Sequence, residues 1–222
     1  MENNWVWVEA NKWCLFPPLP LNGDVTPYPN LKVWSDFYDL HPDYDKLEFL
    51  DNEYIFNPNE FADLSGGRWE VFRKNIRKWP KEHPKWTYCD DCDEEQVRKV
   101  LGNWLEEKMK TVLDADILVE FAFTSNLIGI YRKYLYDGEG TLVAINVWDQ
   151  NWKYINFRYC IIDMSQPYLD EFARYLFYTD PDIQISGKLI NDGGSLGNKG
   201  LEKFKDKLNP VRKREVYSWF NK

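Results

Sequence analysis

A chain of 222 residues, 44% of them hydrophobic, can bury one substantial domain or two small ones. Its net charge of −8 is unsuited to nonspecific coating of nucleic acid, and no apolar run reaches the length of a membrane span. Met1-Glu2-Asn3-Asn4-Trp5 lacks the basic start and apolar core of a signal peptide, so the chain reads as soluble and cytoplasmic, with no membrane partner.

Residues 1–34 read as irregular, with Trp5–Val8 a candidate strand and Pro17, Pro18, Pro20, Pro27 and Pro29 forbidding long helices. Phe49–Phe56 reads as a further short strand, inside an acidic stretch where residues 35–63 hold nine acids against Lys46. Gly67–Trp79 has Trp69, Phe72, Ile76 and Trp79 at helical spacing and Pro80 as its stop. It lies in a basic island, 68–85, with seven Lys/Arg against Glu70 and Glu82. Cys89 and Cys92 form a C-x-x-C, but Cys14 and Cys160 are isolated and the surrounding Asp90, Asp91, Asp93 and Glu94 would raise a thiol pKa, so no metal is expected. That acidic turn is the one boundary candidate, dividing an irregular and helical part, 1–92, from a core, 93–222, within a single domain over 1–222.

Asp93–Met109 is the clearest helix, with Asp93 as its cap, Gln96 at the capping-box position and Val97, Val100, Leu101, Trp104 and Leu105 as its buried stripe. The period then shortens. Ile117–Phe123, Ile128–Tyr136, Thr141–Trp148 and Lys153–Ile162 read as strands, the last three as an antiparallel meander turned at Asp137–Gly140 and Asp149–Asn151. A helix over Pro167–Tyr178, a strand over Ile183–Ile190, a helix over residues 199–208 and a strand over Val211–Phe220 complete an α+β order. Alternation along Lys153–Ile162 places Tyr154, Asn156, Arg158 and Cys160 on one face and Ile155, Phe157, Tyr159 and Ile161 on the other.

Between the strand 183–190 and the helix 199–208 runs Asn191-Asp192-Gly193-Gly194-Ser195-Leu196-Gly197. Free N–H groups and a helix N-terminus aimed at one point suit an anion, while the plainer reading is a turn whose glycines supply positive φ. On the first reading Gly193, Gly194, Ser195, Gly197, Lys199 and Lys205 bind it, within a second basic island over 199–214. Lys199, Lys203 and Lys207 share one helical face, as a phosphate track or as a solvated surface.

The order from residue 117 onward resembles the C-terminal part of the GNAT acyltransferase fold. Leu64-Ser65-Gly66 with Phe72-Arg73-Lys74-Asn75-Ile76, and Asn191 with Leu196-Gly197, Gly200-Leu201, Lys205 and Pro210, resemble runs in the aminoacyl transferases that make lysyl-phosphatidylglycerol and in their Fem-type relatives. Lys74 and Asn75 stand where that family tends to have Asn and His. The resemblance implies a mixed sheet flanked by helices, with an antiparallel meander followed by α-β-α-β and a splayed parallel strand pair, 153–162 and 183–190. It implies an acyl or aminoacyl transfer to an amine on a small molecule, a peptide or a nucleic-acid base of the kind phage enzymes modify. The donor would be anionic, acyl-CoA or aminoacyl-tRNA. Asp163-Met164-Ser165-Gln166-Pro167 lacks the glycines with which CoA-using members hold pyrophosphate, which favours the second. The basic islands 68–85 and 199–214 would then meet tRNA or DNA, with Arg73 on the donor. Asn156 and Arg158 are expected to contact donor or acceptor. Glu120, in an apolar strand, and Asp192, at the mouth of the Gly loop, are the candidate catalytic bases, each with a plain structural alternative. A catalytically silent GNAT-like binding protein for a nucleotide or macromolecular partner and a zinc-stabilised module around Cys89 and Cys92 are the competing readings.

Overall fold

The computed structural model describes residues 47–108, 129–195 and 197–220, with five short strands between residues 5 and 34. Those five are β1 (Trp5–Val6), β2 (Glu9–Ala10), β3 (Trp13–Cys14), β4 (Leu19–Pro20) and β5 (Asn30–Trp34). Then come β6 (Leu47–Phe56), α1 (Asn59–Ala62), a 3₁₀ turn at Gly67–Trp69, α2 (Glu70–Ile76), α3 (Lys78–Glu82), β7 (Thr87–Cys89) and α4 (Glu94–Lys108). The second half holds β8 (Ile130–Tyr136), β9 (Leu142–Gln150), β10 (Tyr154–Ile162), α5 (Leu169–Tyr178), α6 (Pro181–Ile185), β11 (Leu189–Asn191), α7 (Lys199–Lys207) and β12 (Arg212–Phe220). The expected strand at 117–123, and Glu120 with it, lies outside the described residues.

One mixed sheet carries the fold, in the order β2-β3-β5-β12-β6-β11-β10-β9-β8-β7, while β1 and β4 pair separately. The meander β8-β9-β10 is antiparallel, as its two hairpin turns require. Asp137 closes the first turn by accepting from the Glu139 and Thr141 N–H groups, each at 2.9 Å. Asn151 closes the second, accepting from Tyr154 N at 2.7 Å. The strand expected over Phe49–Phe56 is β6, which begins two residues earlier and lies between β11 and β12 in the interior of the sheet.

β10 and β11 run parallel, but only for three residues: Tyr154 opposite Leu189, Ile155 opposite Ile190 and Asn156 opposite Asn191. β10 then continues to Ile162 while the chain of β11 turns away into the Gly loop. Beyond Asn156 the edge of β10 on that side has no strand partner among the described residues, and a slot opens there.

Two apolar cores lie on opposite faces of the sheet. The larger gathers Tyr54, Phe56, Phe61, Trp69, Phe72, Trp79, Ile155, Phe157, Phe172 and Phe177 under α1–α3 and α5. The smaller gathers Val97, Val100 and Leu101 of α4 with Leu142, Ile145, Val147 and Ile161. Offset and tilted ring pairs fill the larger core, including Phe157 stacked on Phe177 at 4.1 Å between centroids.

Four sequence expectations give way, each for a local reason. Helix 67–79 is three pieces, and Pro80 lies inside α3 instead of ending it; in a first helical turn its missing N–H leaves no intrahelical bond unmade. Gln96 does not close a capping box. Asp93 caps α4, accepting from Glu95 N at 2.9 Å, and Gln96 reaches across to the hairpin, accepting from Leu142 N at 2.6 Å. The strand expected over 183–190 begins as α6, because Asp180 accepts from Asp182 N at 2.9 Å as N-cap with Pro181 next to it. Finally, a β-bulge between Phe157 and Tyr159 inserts Arg158 into β10 and breaks its alternation. Ile155 and Phe157 join the larger core before it. Past it Cys160 and Ile162 pack there, and Tyr159 and Ile161 turn to the smaller.

Candidate functional site

The Gly loop is built around charges of its own chain. Asn191 Oδ1 accepts from Gly193 N at 2.9 Å, and Asp51 of β6 accepts from Ser195 N at 2.6 Å and from Ser195 Oγ at 3.1 Å. Gly193 and Gly197 have φ of +62° and +73°, the left-handed region that favours glycine. Gly194 is needed for another reason. A Cβ there would lie 3.0 Å from Asp51 Cγ and closer still to its carboxylate oxygen. The anion this loop holds is thus the Asp51 side chain. The N-terminus of α7 is likewise occupied from within, since Asn198 Oδ1 accepts from Gly200 N at 2.9 Å and from Leu201 N at 3.2 Å.

Lys205 does not face outward from the loop. Its buried ammonium donates to the carbonyl oxygens of Asp192, of Gly194 at 2.9 Å and of Gly193 at 3.3 Å. Those carbonyls accept its N–H bonds, so it fixes the loop's shape instead of offering a charge to a donor. Lys199 is exposed at the start of α7, away from Lys205.

Asp192 is buried against α5. Its Oδ2 accepts from Arg174 Nη1 at 2.7 Å and from Tyr178 Oη at 2.6 Å, and Lys205 Nζ is 3.4 Å from Oδ1. Burial alone would raise this carboxyl, but the Arg174 guanidinium, the Lys205 ammonium and the Tyr178 hydroxyl together hold it below the usual carboxylate range. A carboxylate so stabilised is a poor proton acceptor, and its geometry is that of a tie between the Gly loop and α5. Arg174 extends the tie to Asp170 at 2.9 Å and lies 5.3 Å over the Phe157 ring. This ion cluster closes the slot on the α5 face.

The opposite face is polar. Tyr54, Ile155 and Ile190 point into the larger core, so alternation turns Glu53, Asn156 and Asn191 the other way. Asn191 Nδ2 donates to Glu53 at 2.8 Å, Asn156 Nδ2 donates to Asp149 at 2.6 Å, and Arg158 Nε pairs with the same carboxylate. Arg214, buried and opposite Glu53 in β12, completes a row crossing five strands at the base of the slot. Asn156 and Arg158 therefore stand together, held by Asp149, across the sheet from the cluster at Asp192.

The loop 163–167 is closed on itself. Asp163 accepts from Ser165 N at 3.0 Å, Ser165 Oγ at 2.6 Å and Gln166 Nε2 at 3.0 Å, while Trp79 Nε1 donates to Gln166 at 2.7 Å. Burial raises the Asp163 carboxyl, but these donors outweigh it and leave its pKa lowered. Arg73 lies elsewhere again, clamping the loop 64–66 through the carbonyls of Leu64 and, at 2.8 Å, Gly66.

Three solved structures are similar to this chain in fold. The C-terminal domain of a lysylphosphatidylglycerol synthetase from Agrobacterium fabrum is 12% identical, covers 100% of this chain over 83% of its own, and superposes with a TM-score of 0.70. L-PGS from Bacillus licheniformis is 17% identical over 86% of this chain and 67% of its own, with a TM-score of 0.64. FemX is 8% identical over 84% and 71%, with a TM-score of 0.56. The fold is GNAT-like. No protein-family model matches the sequence, and no curated protein does. Within the GNAT-like frame, no helix among the described residues is long and apolar enough to cross a membrane, and no group of three His, Cys, Asp or Glu among them could hold a metal.

Of the candidate residues, Asp192, Gly193, Gly194, Ser195 and Lys205 meet in the Gly loop, and Asn156 and Arg158 meet on the far face of the slot. Asp51, Glu53, Arg174 and Tyr178 carry no motif that marks them as site residues in the sequence. The one signal for Arg174 was its place four residues before Tyr178 and three before Phe177 on an otherwise apolar helix face.

Proposed function

We propose that this protein is an N-acyltransferase of the GNAT fold, moving an acyl or aminoacyl group onto an amine acceptor at the slot between β10 and β11. The observation that carries the reading is the parallel pair that separates after Asn156 and Asn191. It leaves one edge of β10 available to polarise a carbonyl, beside a row of polar side chains on one face. The amine attacks the acyl carbonyl, a backbone N–H past the bulge steadies the oxyanion, and the leaving oxygen or sulfur takes a proton as the tetrahedral adduct collapses. Glu53, oriented by Asn191, is the carboxylate placed to accept the amine's proton; Asp192 serves as the tie that shapes the loop. The donor reading follows the loop 163–167. With Asp163 holding the Ser165 N–H and the Gln166 amide, an aminoacyl ester suits the site better than a CoA thioester.

The test is transfer of labelled acyl groups from aminoacyl-tRNA and, separately, from acetyl-CoA to a panel of amines. Glu53→Gln should lower turnover about a hundredfold or more, with the fold intact. Full activity in that variant removes Glu53 from the chemistry. A second reading, a binding protein without turnover, is favoured by the filling of the Gly loop by Asp51. It is the outcome if no donor transfers to any acceptor while one of them raises the melting temperature.

A further inference from the structure

A cleft on the α5 side takes no part in the chemistry just proposed. It measures about 850 Å³ and is walled by the loop 62–66, α2, α3 and α5. That volume lies in the range of small-molecule sites, about 300–1,000 Å³. Leu64, Ile76 and Phe172 make an apolar floor, and Tyr175 forms a half-buried wall. Down one flank stand Arg73, Arg77 and Lys81, four residues apart. Arg73 is committed to the loop carbonyls of Leu64 and Gly66. Arg77 and Lys81 are exposed, and neither has an ion-pair or hydrogen-bond partner among the described residues. Asp63 is the one carboxylate lining the cleft, and Ser65 adds a hydroxyl.

Arg77 caps α3 and Lys81 lies four residues on, about 6 Å of rise between their backbone positions, within reach for two long side chains to meet one phosphate group or two linked ones. A guanidinium meets a phosphate through paired N–H bonds, and an ammonium meets it as a point charge. An apolar floor with an aromatic wall suits a planar ring attached to that phosphate. We propose that this cleft binds a nucleoside phosphate, its phosphate on Arg77 and Lys81 and its base along Tyr175 and the apolar floor. The same chemistry has two sources, a free mononucleotide and the terminal nucleotide of a single RNA strand. The inference does not depend on the transfer reading, since binding is measured with no acyl group present.

Calorimetric titration of the full chain, with AMP, a single-stranded RNA tetranucleotide and inorganic phosphate in separate arms, tests it. The expected result is binding in a nucleotide arm at millimolar concentration or tighter, weakened about tenfold in Arg77→Ala/Lys81→Ala. Tyr175→Ala should weaken the nucleotide arms and leave inorganic phosphate unchanged. Tighter binding of AMP identifies a free nucleotide, and tighter binding of the RNA identifies a strand end. Both mutated cations are exposed, so the double variant should keep the parent melting temperature; if it does not, Lys81→Glu alone carries the same comparison. The proposal is overturned if neither nucleotide binds, if binding survives the charge variants, or if inorganic phosphate binds as tightly as AMP.

Discussion

Replacing Asp192 by Ala would strand Arg174 and Lys205, two buried cations, without their shared carboxylate. Breaking one side of such a pair costs about 3–5 kcal/mol, to be read from urea unfolding of Asp192→Ala. The same carboxylate sets an acid limit. Its folded pKa is lowered, so its contribution is complete above the ordinary carboxylate pKa of about 3.9 and is lost as pH falls through the folded value. Asp163 is shifted the same way and acts in the same window. Melting temperatures should drop below about pH 4 in the parent and drop less steeply in Asp192→Asn. A subtler pair tests the loop. Gly194→Ala forces a methyl against Asp51 and should cost about 1–3 kcal/mol, and Asp51→Ala should make that change nearly free. At this scale the sequence disclosed which residue types form the loop but not what fills it. Asp51 comes from 144 positions away, and nothing local marks it as the partner of Ser195.

Elements were legible where local chemistry decides them. Asp93 announces α4, and Asp137 and Asn151 announce their turns, because each side chain bonds backbone two or three residues on. The bulge at Arg158 was not legible, since one extra residue leaves composition untouched while it reassigns every side chain downstream to the other face. Nor was α6, where Ile183 and Ile185 look like strand residues until Asp180 and Pro181 are weighed as a helix start. Gln96 gives a test at this scale. Its side chain couples α4 to the β8–β9 hairpin through Leu142 N and, at 3.3 Å, the Gly140 carbonyl. Gln96→Ala should therefore cost about 1 kcal/mol in denaturant unfolding, more than an exposed helix position would.

In the whole molecule the decisive feature is the place of β6. An N-terminal strand lies between β11 and β12, two strands from the far end of the chain. Periodicity identified 49–56 as a strand, but no pattern within a strand names its neighbours, and this arrangement pairs Ile55 with both Asn191 and Arg212. Residues 93–222 alone would leave β11 and β12 facing a gap. That fragment should show no cooperative unfolding by circular dichroism, and adding a separate piece spanning residues 47–92 should restore it.

The position of β6 also has a bearing on synthesis. As the ribosome lengthens the chain, Leu47–Phe56 emerges before both of its partners and waits with both flanks bare until Leu189–Asn191 and then Arg212–Phe220 have been translated. Throughout that interval the polypeptide carries an unclosed central ribbon, open to other nascent chains and a natural target for a chaperone.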